Sequence, residues 1–393
     1  MKKKILLLGS TGSIGKSSLN IIRNYKSKLE IIALSTNKNI NLIIKQSKEF
    51  KVKNLIINDF KSYKKTLNYG LNKKIKIFNN ISDFLKINKI KFDITIVGIS
   101  GFEGLDPTLK VIPHSKNLSS ANKESIICGW KFINNKLKKY KTNFIPLDSE
   151  HFSIWSLIKN SNHKMISKIY LTASGGPFLK KPKNKINRAK ISDVIKHPNW
   201  NMGHKISVDS ATLMNKLFEL IEASKIFNLP INKFDIIIHP KSYIHALVNF
   251  KNGLSKILIH DTKMEIPIFN SIFDNTSEKY QNNKDINFQN LNGQNFIKPT
   301  SSIFPFLRLI NEYKKTNSYY EIILVTVNDH FVKKFLNGNI NFKKMQIKLL
   351  QKLKDPHLSK YYNKHPKKIN DIYMIVDKIK KYLKENEKNS KQN

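Results

Sequence analysis

The sequence predicts an α/β protein whose first part is a doubly wound parallel sheet. Over residues 1–147, short apolar runs alternate with segments of helical periodicity, and this alternation is typical of parallel strands joined by helices. The first apolar run, residues 4–8, is separated from the first helix, residues 17–25, by a glycine-rich turn. Further strands are predicted at residues 30–35, 54–57, 74–78, 93–97 and 143–147, with a helix at residues 40–50.

The rest of the chain predicts two more parts and a connection between them. Residues 148–274 mix strands with polar loops, which indicates a central α+β domain with strands at residues 168–172, 234–238 and 244–248. Residues 275–298 are crowded with Asn, Gln, Lys and Asp, so we expect a linker there. Residues 299–393 predict a C-terminal helical domain, with helices at residues 304–313, 320–336, 342–353 and 369–383.

The composition excludes several classes of protein. The chain has 393 residues, of which 40% are hydrophobic, too many for an intrinsically disordered chain. Its single cysteine, Cys128, excludes a disulfide framework and a multi-cysteine metal site. No segment reaches the ~18 apolar residues of a membrane span, and the first apolar run stops at Leu8, too early for a signal peptide. We therefore expect a cytoplasmic protein without a membrane partner.

Lysine gives the chain a strongly basic balance. Lys and Arg number 70 against 28 Asp and Glu, a formal net charge of +42, yet only Arg23, Arg188 and Arg308 are arginines. Duplex DNA is read largely through the paired donors of Arg, which Lys reproduces poorly, and the lysines are scattered along the whole chain. We therefore expect no specific nucleic-acid partner. A dedicated basic binding surface is the alternative.

The glycine-rich turn after the first strand predicts a dinucleotide site. Gly9, Gly12 and Gly15 let backbone N–H groups approach a pyrophosphate at the start of the next helix. In this position the pattern predicts a Rossmann-like domain. The second strand ends in Ser35-Thr-Asn-Lys38-Asn39, without the acid that an NAD site uses for the ribose, so Lys38 favours the 2′-phosphate of NADPH. The alternative is that Lys38 is one more lysine of a lysine-rich chain.

Two acidic segments predict a divalent-metal site. Asp148 and Glu150 follow the last strand of the first domain, and on an extended chain residues two apart point the same way. Glu219 shares a predicted helix face with Asn215 and Lys216. Carboxylates without Cys or clustered His suit Mg²⁺ or Mn²⁺, whereas Asn, Lys and a preceding Ser suit a phosphate. Ordinary solvated surface is the alternative for both segments.

Two loops complete the candidate site. Ser174-Gly-Gly-Pro follows a predicted strand and is either a turn able to approach an anion or an ordinary turn. The loop from His197 to Gly203 carries Trp200 between Pro and Gly, and an exposed aromatic side chain in such a loop often belongs to a lid that excludes water. A Trp packed on the core is the alternative.

Together these motifs resemble the 1-deoxy-D-xylulose-5-phosphate reductoisomerases of the non-mevalonate isoprenoid pathway. The resemblance covers nearly the whole chain and is carried by ordered motifs at residues 9–15, 121–125, 147–151, 174–178, 197–203, 205–212 and 214–216. It implies an enzyme that isomerises and reduces 1-deoxy-D-xylulose 5-phosphate to 2-C-methyl-D-erythritol 4-phosphate, with NADPH and one divalent ion, Mg²⁺ or Mn²⁺. It also implies a homodimer and a small phosphorylated sugar as substrate.

The resemblance assigns roles to individual residues. Asp148, Glu150 and Glu219 would hold the metal ion and, with Lys123 near the reacting atoms, are the expected catalytic residues. The residues expected to bind substrate are Ser149, Glu150, Ser174, His197, Trp200, Ser210, Asn215, Lys216 and Glu219. Those expected to bind the cofactor are Thr11, Gly12, Ser13, Ile14, Asn37, Lys38, Asn39, Asn122, Lys123, Glu124, Gly203 and Met264. Residues 1–147 would be the NADPH-binding domain and residues 148–274 the catalytic domain with a flexible lid loop.

The chain departs from the family pattern at four places. Asn37 and Leu217 stand where Gly is usual, and Asn37 is expected to preserve its loop because Asn tolerates the left-handed conformation. Lys263-Met-Glu265 inverts the usual charges around Met264, and Val325–Asp329 replaces an Ala- and Asn-rich stretch ending in Glu. None of these departures involves the expected metal ligands or phosphate-binding residues.

Other functions stay open from the residues alone. A plain NADP-dependent dehydrogenase would keep its activity in the presence of a chelator. A basic nucleic-acid or membrane-surface binder would bind less tightly as salt increases and would be insensitive to substitution of Asp148 or Glu150. A degenerate family member would fold but turn over slowly.

Overall fold

The computed structural model describes residues 1–69, 74–200, 202–274, 276–282, 288–313 and 317–392. The chain forms two compact units. Unit 1 comprises Met1–Ser125, Phe132–Trp155 and Lys263–Ile286, and unit 2 comprises Ile126–Lys131, Ser156–Thr262 and Asn287–Asn393.

The described residues form eleven strands and eighteen α-helices. The strands are β1 (Lys3–Leu8), β2 (Leu29–Thr36), β3 (Asn54–Ile57), β4 (Lys76–Phe78), β5 (Phe92–Val97), β6 (Ser115–Ser120), β7 (Asn143–Pro146), β8 (Ile166–Ala173), β9 (Phe234–Ile238), β10 (Ile244–Phe250) and β11 (Ser255–Ile259). The helices are α1 (Ser13–Asn24), α2 (Ile40–Phe50), α3 (Phe60–Leu67), α4 (Ile81–Ile87), α5 (Leu105–Val111), α6 (Lys123–Tyr140), α7 (Ser149–Ile158), α8 (Lys183–Asn187), α9 (Ile191–Ile195), α10 (His204–Ala211), α11 (Met214–Ile226), α12 (Glu265–Ile272), α13 (Phe288–Leu291), α14 (Arg308–Glu312), α15 (Tyr319–Leu336), α16 (Phe342–Leu353), α17 (Pro356–Ser359) and α18 (Ile369–Gln392).

The sheet of unit 1 confirms the predicted doubly wound architecture. Its strands lie in the order β4-β3-β2-β1-β5-β6-β7, and each pairing between neighbours is parallel. The winding reverses at β1, which lies between β2 and β5. Open α/β sheets bind ligands beyond the carboxyl ends of the strands at this point, and the glycine-rich turn follows β1 there. β6 was not predicted from the sequence.

A segment distant in sequence completes the core of unit 1. Ile268, Phe269, Ile272 and Phe273, in and just after α12, lie in one hydrophobic cluster with residues of β1, α1 and β2. The ring of Tyr25, the C-cap residue of α1, packs at 5.0 Å from that of Phe273. The compact units therefore differ from the predicted boundaries, because residues 263–274 join the N-terminal unit through this apolar face. The functional division into cofactor, catalytic and helical domains stays a prediction.

Unit 2 contains a mixed four-stranded sheet, as an α+β domain requires. Its order is β11-β10-β8-β9, with β8 parallel to β9 and antiparallel to β10. Ile238, the last residue of β9, forms a β-bridge with Ile297, so part of the predicted linker pairs with the sheet. The predicted linker also contains the short helix α13. Linker residues 275 and 283–287 lie outside the described residues.

Helices α15, α16 and α18 confirm three of the four C-terminal helices that the sequence predicts. The fourth, at residues 304–313, is wrong as a single helix. Phe304 is not helical, Pro305–Leu307 form a 3₁₀ turn, and α14 begins only at Arg308, because proline disfavours the helical conformation of the residue before it. Within the part of the chain that the structure describes, no helix is both long enough and apolar enough to span a bilayer.

Candidate active site

The turn between β1 and α1 in unit 1 requires glycine at two positions. Gly9 has φ of +79°, and a Cβ there would lie 2.7 Å from the carbonyl oxygen of Gly98. A Cβ on Gly15 would lie 2.3 Å from the carbonyl oxygen of Gly9. Any side chain at either position would therefore force the backbone apart, so the turn holds α1 close against the end of the sheet.

The N-terminus of α1 is open to an anion. Gly12 is its N-cap residue, and no described side chain caps the helix. Gly12 and Ser13 are exposed and Ile14 is half-buried, so the first N–H groups of a twelve-residue helix face accessible space. Thr11 Oγ1 lies 2.8 Å from Thr36 Oγ1, which ties the turn to the end of β2.

Lys38 lies just after the end of β2, and its neighbours in the loop, Asn37 and Asn39, carry no carboxylate. Asn37, Lys38 and Asn39 are exposed, and Asn39 Oδ1 accepts from the backbone N–H of Leu42, which caps α2. Asn37 has no positive φ, so the expectation that it relies on a left-handed conformation is wrong, and its backbone does not require Gly or Asn at this position. Hydrogen bonds from Ser62 lower the pKa of Asp59, with a smaller contribution from the charge of Lys38.

The first turn of α6 is built around Asn122. Its Oδ1 accepts from the N–H of Ser125 at 2.7 Å, and its Nδ2 donates to the carbonyl of Gly101 at 2.9 Å. Glu124 accepts from the N–H of Gly101 at 3.3 Å. The buried Asn122 side chain therefore caps the helix and fixes the β5–α5 loop. Met264, also in unit 1, packs against the hydrophobic cluster of that unit.

The acidic segment of unit 1 lies at the start of a helix. Ser149 begins α7 and Glu150 is in its first turn, so the prediction of an extended segment is wrong, because the helix begins directly after Leu147 and Asp148. Lys123 forms an ion pair with Asp148 Oδ2, and His151 Nδ1 lies 3.7 Å from the same oxygen. Ser149 Oγ donates to Glu150 at 2.5 Å.

The predicted helix face of unit 2 is confirmed in α11. Asn215 Nδ2 donates to Glu219 Oε1 at 2.5 Å, and Lys216 Nζ lies 2.5 Å from Glu219 Oε2. Glu219 is 1% exposed and Lys216 5% exposed. A buried carboxylate is thus held between an amide and an ammonium, and charge pairing offsets its desolvation.

The Ser174 turn and the His197 loop of unit 2 are joined by a hydrogen bond. His197 Nδ1 accepts from the backbone N–H groups of Asn199 and Trp200 at 3.1 and 3.0 Å, so the ring proton of the neutral side chain lies on Nε2. Nε2 lies 2.9 Å from Ser174 Oγ, which also accepts from the N–H of Gly176 at 3.1 Å. Ser174 therefore accepts twice and keeps its hydroxyl proton for donation.

Sequence reasoning missed the residues that anchor this loop. Asn199 Nδ2 donates to the carbonyl of Pro240 and to Ser242 Oγ, both at 2.7 Å. The ring of Trp200 meets that of His245 edge-on at 6.1 Å, and His245 stacks on His260 at 3.6 Å. The sequence shows which of these side chains are polar or aromatic, but it does not predict their contacts. Asn199 and Ser242 are 43 residues apart, so no local spacing links them.

The structure divides the expected residues between the two units. In unit 1 lie Thr11, Gly12, Ser13, Ile14, Asn37, Lys38, Asn39, Asn122, Lys123, Glu124, Asp148, Ser149, Glu150 and Met264. In unit 2 lie Ser174, His197, Trp200, Gly203, Ser210, Asn215, Lys216 and Glu219. Within unit 2 the turn, α10 and α11 come together, since a Cβ on Gly176 would lie 3.2 Å from the carbonyl oxygen of Ser210.

Three sequence models of one family match successive parts of the chain. Residues 5–129 match 1-deoxy-D-xylulose 5-phosphate reductoisomerase, residues 144–227 match its C-terminal domain model, and residues 260–382 match a further DXP reductoisomerase C-terminal domain.

Individual proteins match over nearly the full length. A 1-deoxy-D-xylulose 5-phosphate reductoisomerase of Pelagibacter ubique is 48% identical over 379 residues, 96% of this chain and 97% of that protein. The Zymomonas mobilis enzyme in complex with NADPH superposes with a TM-score of 0.86 at 28% identity, over 96% of this chain and 97% of that one. A DOX-P reductoisomerase in complex with NADPH, fosmidomycin and magnesium gives a TM-score of 0.89 at 28% identity, over 100% of both chains. The chain therefore belongs to the 1-deoxy-D-xylulose 5-phosphate reductoisomerase family.

Proposed function

We propose that this chain isomerises and reduces 1-deoxy-D-xylulose 5-phosphate to 2-C-methyl-D-erythritol 4-phosphate, with NADPH and a divalent metal ion. Family membership over almost the whole chain supports the reaction, and solved relatives bind NADPH and magnesium. The observation that carries the proposal in this chain is the hydrogen-bonded set of Asn215, Lys216 and Glu219 on α11. It places a carboxylate that can bind a metal ion, that of Glu219, beside two donors that can bind a phosphate, Asn215 and Lys216.

Asp148, Glu150 and Glu219 are the proposed metal ligands. Their oxygen donors have the hard character that Mg²⁺ and Mn²⁺ prefer. Two of these carboxylates are paired with Lys123 and Lys216, so their charge is compensated by side chains that can turn toward other anions. A bound divalent ion would supply Lewis-acid polarisation of the substrate ketone.

Ser174, Ser210, Asn215 and Lys216 are the proposed phosphate-binding residues. The Ser174 hydroxyl is oriented by two donors, as described above, so its proton is free to reach an anionic oxygen. Lys216 supplies a buried positive charge, and buried charges interact with a phosphate more strongly than exposed ones. The Ser174 turn itself approaches α10 closely only because Gly176 has no Cβ.

The turn after β1 is the proposed pyrophosphate site of NADPH. The uncapped N–H groups at Ser13 and Ile14 and the partial positive charge of α1 favour the pyrophosphate. Lys38 and the neighbouring Asn37 and Asn39 are exposed at the end of β2, where they would bind the 2′-phosphate. Thr11, Gly12, Asn122, Lys123, Glu124, Gly203 and Met264 are the remaining proposed cofactor contacts.

The loop that contains His197, Trp200 and Gly203 is the proposed lid. Its Trp200 end would exclude water, while Asn199 anchors the His197 end to Pro240 and Ser242. Ser149 is proposed to contact the substrate hydroxyl groups, and Lys123 to lie near the reacting atoms.

The reaction is tested with purified protein, 1-deoxy-D-xylulose 5-phosphate, NADPH and Mn²⁺, followed by the loss of NADPH absorbance. We expect turnover that a chelator abolishes and that Glu219→Gln lowers by about a hundredfold or more. Glu30→Gln, an exposed carboxylate on β2, is the matched control and should leave turnover unchanged. Turnover in the presence of chelator would instead indicate a plain dehydrogenase, and equal rates for wild type and Glu219→Gln would refute the metal assignment.

A homodimer is the proposed assembly. β11 is the edge strand of the unit 2 sheet, and Leu254 and Ile257 beside and within it are 60% and 45% exposed. An edge with open backbone groups and apolar side chains favours pairing with a second copy.

Light scattering of the wild type should give a mass twice that of one chain. Ile257→Asp should lower it to one chain, whereas Ile347→Asp, at 44% exposure on α16, should not; a monomeric wild type would refute the proposal.

The cytoplasm is the proposed location. Cys128 is the single cysteine of the chain and is buried, which suits a reducing compartment, and the reaction needs NADPH and a sugar phosphate. Fractionation of the source cells with antibody detection would test this placement, and recovery of the protein outside the cytoplasmic fraction would refute it.

A further inference from the structure

Polar side chains join α10 and α15 inside unit 2. Asn328 Nδ2 of α15 donates to Asp209 Oδ1 of α10 at 2.8 Å. Lys205 Nζ lies 3.0 Å from the other oxygen, Asp209 Oδ2, and 3.1 Å from Asp329 Oδ1. We call these four residues the α10–α15 cluster. Both carboxylate oxygens of Asp209 have a partner in the cluster. Two contacts, Asn328 with Asp209 and Lys205 with Asp329, join α15 to α10.

The cluster is buried at its centre. Asp209 is 2% exposed and Asn328 is 1% exposed, whereas the side chains of Lys205 and Asp329 are each 34% exposed. A buried carboxylate must keep its donors, because leaving it without them is costly. Sliding or rotation of α10 against α15 would break these contacts, so the cluster fixes the position of α10.

Asp209 directly precedes Ser210. Neighbouring residues of an α-helix point about 100° apart, so Asp209 faces α15 while Ser210 points elsewhere. The carbonyl oxygen of Ser210 lies beside Gly176 of the Ser174 turn, and Leu213, with φ of +59°, leads at once into α11 with Asn215 and Lys216. The position of α10 therefore sets the distance of Ser210 from the other phosphate-type donors.

We propose that Asn328 and Asp329 are positioning residues that hold Ser210 in register with Ser174, Asn215 and Lys216 for binding of a phosphate group. The proposal rests on the proposed function, because it takes Ser174, Ser210, Asn215 and Lys216 as the phosphate site. It also gives a role to Val325–Asp329, where the sequence departs from the family pattern: Asn328 and Asp329 are the polar residues at the end of this stretch, and both contact α10.

The experiment measures phosphate binding and turnover separately. Inorganic phosphate is titrated calorimetrically into the full-length wild type and into Asn328→Ala and Asp329→Asn. We expect the phosphate Kd to rise about tenfold in Asn328→Ala and severalfold in Asp329→Asn. The kcat/KM for 1-deoxy-D-xylulose 5-phosphate should fall by a similar factor, whereas the KM for NADPH should rise much less, because all the proposed cofactor contacts except Gly203 lie in unit 1.

Asp329→Glu is the rescue variant, since it keeps the carboxylate that Lys205 requires; it should bind phosphate within about twofold of wild type. Asp377→Asn, an exposed carboxylate on α18, is the matched control for charge. Tm is measured for every variant. A variant that folds less stably but binds phosphate as the wild type does would show a structural role only.

The outcomes separate this inference from the proposed function. A wild type that binds phosphate but does not oxidise NADPH refutes the reaction, while the positioning role is still decided by the Kd of the variants. An unchanged phosphate Kd in Asn328→Ala overturns the inference. So does a wild type that binds no phosphate, or a KM for NADPH that rises in parallel with the phosphate Kd.

Discussion

His197 uses its two ring nitrogens for two different sets of partners. Nδ1 accepts from the loop that carries Trp200, and Nε2 lies at hydrogen-bond distance from Ser174. Because a nitrogen that accepts must be unprotonated, the loop contacts fix the proton on Nε2 and thereby direct the Ser174 hydroxyl. A single side chain thus couples the conformation of the proposed lid to the proposed phosphate site.

Replacing His197 by Asn or by Gln separates these two contacts. Asn places an oxygen near the Nδ1 position and keeps the loop contacts, whereas Gln places an amide N–H near the Nε2 position and keeps the contact to Ser174. We expect His197→Asn to weaken inorganic phosphate binding about fivefold and His197→Gln to leave it nearly unchanged, with turnover lowered in both. Calorimetry and steady-state rates check this. The coupling is wrong if the two variants bind phosphate equally well.

Lys38 is the residue on which the preference for NADPH is proposed to depend. It is exposed, and a charge-assisted hydrogen bond to the 2′-phosphate would be lost in Lys38→Ala. We expect the KM for NADPH to rise about tenfold and the KM for NADH to change little. Lys61→Ala, on the neighbouring helix α3, is the control. An equal effect on both cofactors would show that Lys38 does not read the phosphate.

At the scale of the elements, the sequence predicted most strands that are rich in apolar residues, but it missed the polar strand β6 and the edge strand β11. β1, β2, β3 and β5 are rich in apolar residues, and each was predicted within a few residues. β6 reads Ser-Lys-Asn-Leu-Ser-Ser, yet Ser115, Ser119 and Ser120 are buried in the sheet. Thr95 Oγ1 and Ser115 Oγ lie 2.6 Å apart. Such cross-strand pairing involves residues distant in sequence, so no local pattern reveals it.

The candidate site shows the same limit. The spacing of Asn215, Lys216 and Glu219 was sufficient to predict their shared helix face, because helix periodicity is local. The conformation of Asp148 and Glu150 was not, since the strand before them ends one residue earlier than predicted and α7 starts at Ser149. The hydrogen bond between Asn199 and Ser242 and the packing of α12 in unit 1 depend on tertiary contacts. A local sequence pattern therefore predicts neither of them.

The contact between α11 and α15 includes a buried ion pair. Lys225 Nζ lies 2.6 Å from Glu321 Oε2, and both side chains are at most 2% exposed. Lys225 also donates to the carbonyl of Ile127 at 2.6 Å, and Tyr313 donates to Glu321. Burial raises the pKa of Glu321, while the charge of Lys225 opposes this shift. The pair is a strong determinant of helix packing but not of net stability.

Removing one partner should therefore cost more than removing both. We expect Glu321→Leu to lower the free energy of unfolding by about 3–5 kcal/mol, because it leaves the Lys225 charge buried. Lys225→Met combined with Glu321→Leu should recover most of that loss. Glu385→Gln removes the exposed pair with Lys381 and should change stability by less than about 0.5 kcal/mol. Urea unfolding measures all four proteins, and a double variant no more stable than Glu321→Leu would contradict the argument.

Asp355 links α16, α17 and α18 and should give unit 2 a pH-dependent stability. It accepts from Lys352 at 2.7 Å, from Tyr382 at 2.6 Å and from the N–H of His357 at 2.9 Å. Burial raises its pKa, but the hydrogen bonds and the charge of Lys352 outweigh burial and lower the pKa from 3.8 to about 2. Since the folded-state pKa is below the unfolded one, the stabilisation is present above pH 4 and is lost as pH falls toward 2.

We expect Asp355→Asn to be less stable than the wild type by about 1 kcal/mol near neutral pH, after allowance for solvent screening. The difference should shrink between pH 4 and pH 2, where the wild-type carboxylate becomes protonated. Urea unfolding at a series of pH values checks this, with Asp377→Asn on α18 as the control. A difference that is independent of pH would show that packing, and not the charge, is responsible.

At the scale of the whole molecule, the three proposed metal ligands stand among 28 acidic residues and 70 basic ones. The net charge is +42, and the lysines are distributed over the sequence. Such a surface raises the local concentration of anions, and both the proposed substrate and NADPH are anions. On this assignment, the positive charge assists the encounter of the protein with phosphorylated small molecules.

Electrostatic attraction of the substrate predicts a specific dependence on salt. Raising potassium chloride from about 20 mM to about 300 mM shortens the screening length severalfold, so kcat/KM for 1-deoxy-D-xylulose 5-phosphate should fall severalfold. The kcat at saturating substrate should stay nearly constant, because the bound substrate is already in place. Initial rates at constant free Mg²⁺ measure both quantities, and duplex DNA added at low salt should compete without sequence preference. If kcat/KM is independent of salt while DNA binding is not, the basic surface does not assist the reaction, and the excess of lysine acts only in nonspecific adhesion.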